Sequence, residues 1–164
     1  MLSKAMQDAI NEQINKEYHS AYIYLSMAAY CESVNLPGAA HWMKVQAKEE
    51  TGHGDKFFDY LVDQGARVIL KPIAQVPTEF KSLLEVFEKA LEHEKKMTGW
   101  LNQLYAQAVK ESDYATQILL QWYITEQIEE EKTAGQIVEQ LKMVGDHSTA
   151  IFMLDHHLAS RKAG

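Results

Sequence analysis

Four stretches of this chain carry apolar residues at helical spacing, and each of the four stripes is interrupted near its middle by a carboxylate. The first stripe is Ile10, Ile14, Glu17, Ala21, Leu25 and Ala28, and the second is Met43, Ala47, Glu50, His53, Phe57 and Leu61. The third runs Phe87, Leu91, Glu94, Met97, Leu101, Leu104 and Ala108, and the fourth Leu120, Tyr123, Gln127, Glu130, Ala134, Ile137 and Leu141. Such periodicity dictates amphipathic helices whose apolar sides face one another. A lone carboxylate in that interior costs several kcal/mol, so charges at mid-helix on four buried stripes call for a common partner, and a shared cation supplies one.

The punctuation between the stripes sets the order of the helices. Ser3 is a candidate N-cap for a first helix reaching about Glu32, and Asn35-Leu36-Pro37-Gly38 breaks the chain before a second helix that starts near Gly38 and stops at Gly65. Residues 66–79 hold two prolines and no helical period, a connector long enough to cross the length of a bundle. Ser82 with Glu85 reads as a capping box for the third helix. The polar break Glu111-Ser112-Asp113 offers Asp113 as the cap of a fourth helix, which Gly145 closes. From Ser148 onward, Ile151, Phe152, Leu154 and Leu158 give a short fifth helix with a partly apolar face. The expectation is an all-α fold: one domain over residues 1–164, a ferritin-like four-helix bundle running up-down-down-up with one long crossover and a short C-terminal helix.

Composition narrows the function. With 23 acidic and 16 basic residues the net charge is −7 and no Lys/Arg cluster forms a phosphate-binding stripe, which disfavours nucleic acid as a partner. Every apolar run is broken by charge well short of the roughly 20 residues of a bilayer span, so no membrane role is expected. The single Cys31 and a polar start without a secretory signal favour a reducing cytoplasm.

Glu50 and His53 lie about 60° apart around a helix, so both can grip one ion. A carboxylate with an imidazole suits iron, zinc or manganese. Glu17 completes a first site with them, while Glu94 and Glu130 supply a second, with Glu50 free to bridge because a carboxylate has two oxygens. Di-iron carboxylate bundles carry Glu-x-x-His on two helices. This chain has one such motif: its fourth helix offers Gln127-x-x-Glu130 instead, an amide that hydrogen-bonds but binds metal weakly, which makes the second site harder and more labile.

The segments YLSMAAYCE, LPGAAHWMKVQAKEETGH, KFFDYLVDQGARV, FEKALEHE and LLQWYITEQIEEE, in this order, resemble the bacterial and archaeal non-haem ferritins over nearly the whole chain. The resemblance implies that Glu17, Glu50 and His53 hold one iron and Glu50, Glu94 and Glu130 the other. It further implies that Glu49, Glu126 and Glu129, with Glu130 shared, form a third iron site toward the cavity. Tyr24 matches the family's tyrosine beside the diiron centre, and Trp122 a tryptophan near the third site. The implied activity is ferroxidase chemistry: O2 takes electrons from two Fe(II), and Fe(III) leaves as an oxo-hydroxide mineral inside a hollow cage of 24 subunits, with the fifth helix at the fourfold axis.

Several positions depart from related patterns. The Met that ligates haem in bacterioferritins would align close to Thr51, and a second Glu-x-x-His is missing, so no haem is expected. A rubrerythrin-like peroxidase needs that same second motif, often with a Cys-rich segment. Mini-ferritins that protect DNA place their metal between subunits with His on the first helix, where only His19 is available here. Thr116 to Gln121 offer no carboxylate ring for an acidic threefold channel, and His156-His157, about 100° apart on a helix, suit a surface role. Gly52 and Gly54 flank His53 within the helix at up to about 1 kcal/mol each, a candidate softening of the site.

Overall fold

Side chains named by the sequence open three of the long helices. In the computed structural model, which describes residues 1–164, Ser3 Oγ accepts from the Met6 N–H at 3.0 Å and opens α1 (Lys4–Ser33). Pro37, which has no N–H to leave unsatisfied, stands at the start of α2 (Pro37–Asp63). Ser82 Oγ accepts from the Glu85 N–H at 3.1 Å to open α3 (Leu83–Lys110), and Asp113 Oδ1 accepts from the Thr116 N–H at 3.0 Å to open α4 (Tyr114–Val144). The box expected at Ser82 closes one residue early, because the Glu85 carboxylate accepts from the Lys81 N–H at 2.5 Å. A short α5 (Ser148–Leu158) follows.

Three helices end in the same closure. Leu36, Ala66 and Asp113 each donate to a carbonyl five residues back, Cys31, Leu61 and Ala108, at 2.9 Å. The residue before each donor is left-handed: Asn35 at φ 61°, Gly65 at φ 69° and Ser112 at φ 57°. Only Gly65 enters that region without a Cβ penalty.

Side-chain pairs fix the directions of the helices. Tyr18–Asp55 and Glu32–Lys44 make α1 and α2 antiparallel, and Ser3–Glu111 with Ser20–His93 does the same for α1 and α3. Gln46–Glu130 and Tyr60–Thr116 set α2 against α4. The order is therefore up-down-down-up, and the link between α2 and α3 crosses the bundle along α1. Asn11 grips that crossover at both Arg67 O and the Ile69 N–H, Asn15 holds Lys71 O, and Ser26 holds Pro77 O.

α5 docks at the bare start of α2. The Asp155 carboxylate accepts from the Gly38 N–H at 3.1 Å and the Ala39 N–H at 2.7 Å, supplying from afar the cap that Leu36 cannot. A Cβ at Gly38 would fall 1.8 Å from Asp155 O, so the approach requires glycine. The apolar residues of α5 divide between an inner and an outer side. Leu158 is buried and Ile151 and Leu154 pack against the core, but Phe152 is 62 % exposed, because successive residues turn about 100° apart and Phe152 follows Ile151 off the inner face.

The core divides in two. One cluster, around Tyr24, Met43, Phe87 and Leu141, lies toward α5, and the other, around Met6, Ile10, Phe57 and Tyr123, lies at the opposite end of the bundle. Large side chains such as Phe57 and Phe87 each contribute about 1.5–3 kcal/mol by burial. Between the clusters sits a layer of buried polar side chains. Gly54 borders that layer for a packing reason: a Cβ there would stand 2.6 Å from the Tyr18 ring, and the helix runs unbroken through it. The Tyr18 ring thus accounts for glycine at position 54, while Gly52 faces open space.

Candidate metal centre

The polar layer is built from one turn of each long helix. Glu17, Glu50, His53, Glu94, Gln127 and Glu130 are all buried, as the position of each within an apolar stripe requires. Ligand atoms of Glu17, Glu50 and His53 lie within 4.8 Å of one another, and those of Glu50, Glu94 and Glu130 do so as well. Glu50 belongs to both groups and stands between them. His53 Nδ1 faces the first, 3.3 Å from Glu50 Oε2 and 3.9 Å from Glu17 Oε2. Each group can hold a metal ion.

A tight set of amide and hydroxyl donors surrounds the carboxylates. Gln13 Nε2 donates to Glu17 Oε1 at 2.9 Å, and Gln46 Nε2 donates both to Glu50 Oε1 at 2.9 Å and to Glu130 Oε2 at 2.7 Å. Gln127 Nε2 donates to Glu94 Oε2 at 3.1 Å, and the Tyr24 hydroxyl donates to Glu94 Oε1. Glu130 thus sits where a second histidine would stand, while Gln127, at the position of that motif's glutamate, supports the Glu94 carboxylate instead of joining a ligand group. Gln13 and Gln46 did not stand out in the sequence. Their signal was present, since each precedes its carboxylate by four residues, one helical turn on the same face.

The electrostatics follow from four carboxylates sharing one enclosed space. Burial, and then the charge of Glu50, pushes the Glu17 carboxyl up to about 8. The same two causes push Glu130 up to about 7, and Glu94, facing Glu50 and Glu130, is pushed well above the ordinary carboxylate range. Burial by itself would lower His53, but its hydrogen bond to Glu50 and the charges of Glu50 and Glu17 outweigh burial and raise it to about 9. The charge that holds protons here would equally hold cations, and four carboxylates match the charge of two divalent ions.

The residues assigned to a third site by resemblance are only partly brought together. His53, Glu126 and Glu130 have ligand atoms within 4.8 Å of one another, whereas Glu49 and Glu129 join no such group. Glu129 is exposed, and Glu49 Oε2 lies 2.8 Å from Arg161 Nη2 on the C-terminal tail. Trp122 stands edge-on to His53, ring centres 5.4 Å apart, with Lys56 Nζ over its outer face at 4.2 Å. Tyr123 donates to His53 O at 2.7 Å and fixes the turn that carries the imidazole. On the α1–α3 side, Ser20 Oγ and His93 Nε2 share a hydrogen bond at 2.6 Å, and burial lowers that imidazole to about 4. His19 joins no ligand group, and His156 and His157 lie exposed on α5.

A four-helix bundle with a long crossover and paired carboxylate groups at its centre defines the ferritin-like class. The Ferritin-like domain matches residues 7–144, and the chain belongs to the ferritin family. It is 40 % identical over 161 residues to the bacterial non-heme ferritin of Staphylococcus haemolyticus, spanning 98 % of this chain and 97 % of that one. It is 42 % identical to that of Bacteroides fragilis over 98 % of this chain and all of the relative. Among solved structures, the open pore ferritin of the hyperthermophilic archaeon Archaeoglobus fulgidus superposes with a TM-score of 0.98 at 43 % identity, covering 99 % of each chain. No helix of the chain is long and apolar enough to cross a membrane.

Proposed function

We propose that the protein is an iron-storage ferritin that oxidises Fe(II) with O2 at a diiron centre within each subunit. The observation that carries this reading is the pair of buried ligand groups, Glu17/Glu50/His53 and Glu50/Glu94/Glu130, joined through Glu50. Iron is the substrate. Each of two Fe(II) gives up one electron, one O2 accepts the pair, and the Fe(III) moves on to a ferric oxo-hydroxide mineral.

The donor set suits a transient ion. Hard carboxylate oxygens favour the higher charge of Fe(III), and a single imidazole, with the Glu130 carboxylate in place of a second, avoids the strong nitrogen field that would retain the product. Gln13, Gln46 and Gln127 keep the carboxylates aimed inward, while Tyr24 holds Glu94 from the α1 side. Burial holds protons on the Glu17 and Glu130 carboxyls, and binding of Fe(II) would displace them. Glu126 and Glu130 with His53 extend the ligand path outward, which supports a third, exit-side position for iron.

Storage requires a shell. Exposed Met143, Phe152 and Met153, beside the α4–α5 junction, support burial of α5 against further copies in a 24-subunit cage, as do the family and the archaeal ferritin likeness. The buried free Cys31 and the lack of a membrane-crossing helix support a cytoplasmic setting.

Stopped-flow mixing of the metal-free protein with Fe(II) and O2 tests the reading. Rapid oxidation that Glu50→Ala reduces by at least about tenfold is expected, since removing the shared ligand disables both groups. Equal rates for the two proteins would sink it.

A further inference from the structure

The C-terminal tail returns to the metal layer. After α5, Arg161 stacks over the Trp42 ring with its guanidinium carbon 4.1 Å from the ring centre, and Nη1 donates to Trp42 O at 3.3 Å. Its Nη2 donates to two acceptors at once, Gln46 Oε1 and Glu49 Oε2, each at 2.8 Å. His41 Nε2 donates to Arg161 O at 2.8 Å and fixes the backbone at this point. The guanidinium is therefore held from several directions.

The tail pairs with one oxygen of Glu49 and passes close to the other. Oε2 is taken by Arg161, and a Cβ at Gly164 would stand 3.1 Å from Oε1. Ala163 and Gly164 line the same groove as Glu49, His53, Trp122 and Glu126. Glu49 is thus the acidic residue nearest in sequence to the shared ligand Glu50, yet it meets a cation that the chain itself supplies.

We propose that Arg161 is a positioning residue that keeps Glu49 out of metal coordination, so that the outward ligand group is limited to His53, Glu126 and Glu130. The proposal rests on the ferroxidase reading, because it concerns where substrate iron goes after the buried pair. A guanidinium paired with a carboxylate is a cation that cannot be titrated away, so metal reaches Glu49 Oε2 only by displacing it, and the pair holds the carboxylate outside every ligand group. The same Nη2 orients the Gln46 amide, leaving its NH2 end for Glu50 and Glu130.

Anaerobic equilibrium binding of Fe(II) to the assembled full-length protein tests this, with light scattering used to match the oligomeric state of each variant. Arg161→Ala is expected to bind about one further ion per subunit than the unaltered protein, and Arg161→Ala/Glu49→Gln is expected to lose it again. Arg161→Lys, which keeps the charge, should hold the original count. An unchanged count in Arg161→Ala, an extra ion that survives Glu49→Gln, or the same extra ion in Arg161→Lys would each overturn the proposal. If the unaltered protein shows no Glu50-dependent binding, the ferroxidase reading falls and this one with it; a failure confined to the Arg161 variants leaves that reading intact.

Discussion

Gln46 Nε2 lies 2.7 Å from Glu130 Oε2, and this one amide ties the second helix to the fourth across the metal layer. It also donates to Glu50 at 2.9 Å, and its hydrogen bond to Glu130 favours the ionised form of that carboxylate, which burial disfavours. Gln46→Leu removes both donors and should raise the pH at which anaerobic Fe(II) binding reaches half saturation. A titration of binding against pH checks this, and an unchanged midpoint would show that the amide does not assist ionisation.

The raised carboxyl of Glu17 makes the metal-free protein sensitive to pH. Its folded value of about 8 lies above the unfolded value of 4.5, so the folded state binds more protons between them and stability falls as pH rises through that interval. His53, raised from 6.5 to about 9, adds a loss in the same direction at higher pH. Glu17→Gln should therefore melt progressively higher than the unaltered metal-free protein as pH goes from 5 to 9, by an amount on the order of a few kcal/mol. Differential scanning calorimetry across that range reads the difference, and a gap that does not widen with pH would contradict it.

Gly52 and Gly54 should respond oppositely to alanine. At Gly52 the added Cβ meets nothing within 4 Å, and helix propensity predicts a gain of about 0.5–1 kcal/mol. At Gly54 it would press on the Tyr18 ring, with a loss of about 1–3 kcal/mol from overpacking. Chemical denaturation of the two variants separates these cases.

Asp155→Ala should free α5. The change strips the cap from the Gly38 and Ala39 N–H groups, a loss of about 1–2 kcal/mol, and leaves the fifth helix held mainly by Leu158, Ile151 and Leu154. Limited proteolysis should then cleave the variant between α4 and α5 faster than the unaltered chain, and equal rates would argue against the capping role.

Much of this architecture could be read from the chain, for identifiable reasons. The apolar stripes fixed four long helices, and a carboxylate within each stripe marked the metal layer, because a stripe of 3.6-residue period leaves no outward direction for Glu17, Glu50, Glu94 or Glu130. Ser3, Ser82 and Asp113 announced their helix starts through local hydrogen bonds that need no tertiary information. What sequence could not show depends on distant partners. Gln46 acquires its role only when α4 brings Glu130 beside it, and Glu49 is diverted by Arg161, over a hundred positions away. The side of α5 on which Phe152 lies and the closeness of the Tyr18 ring to Gly54 were hidden for the same reason, since both are properties of the folded bundle.

The central claim is that two iron ions bind side by side with Glu50 between them. Anomalous scattering at the iron absorption edge from crystals soaked anaerobically in Fe(II) tests it most directly. Two neighbouring peaks are predicted, one bordered by Glu17, Glu50 and His53 and the other by Glu50, Glu94 and Glu130. No peak among these side chains, or iron found only at surface carboxylates, would contradict the account.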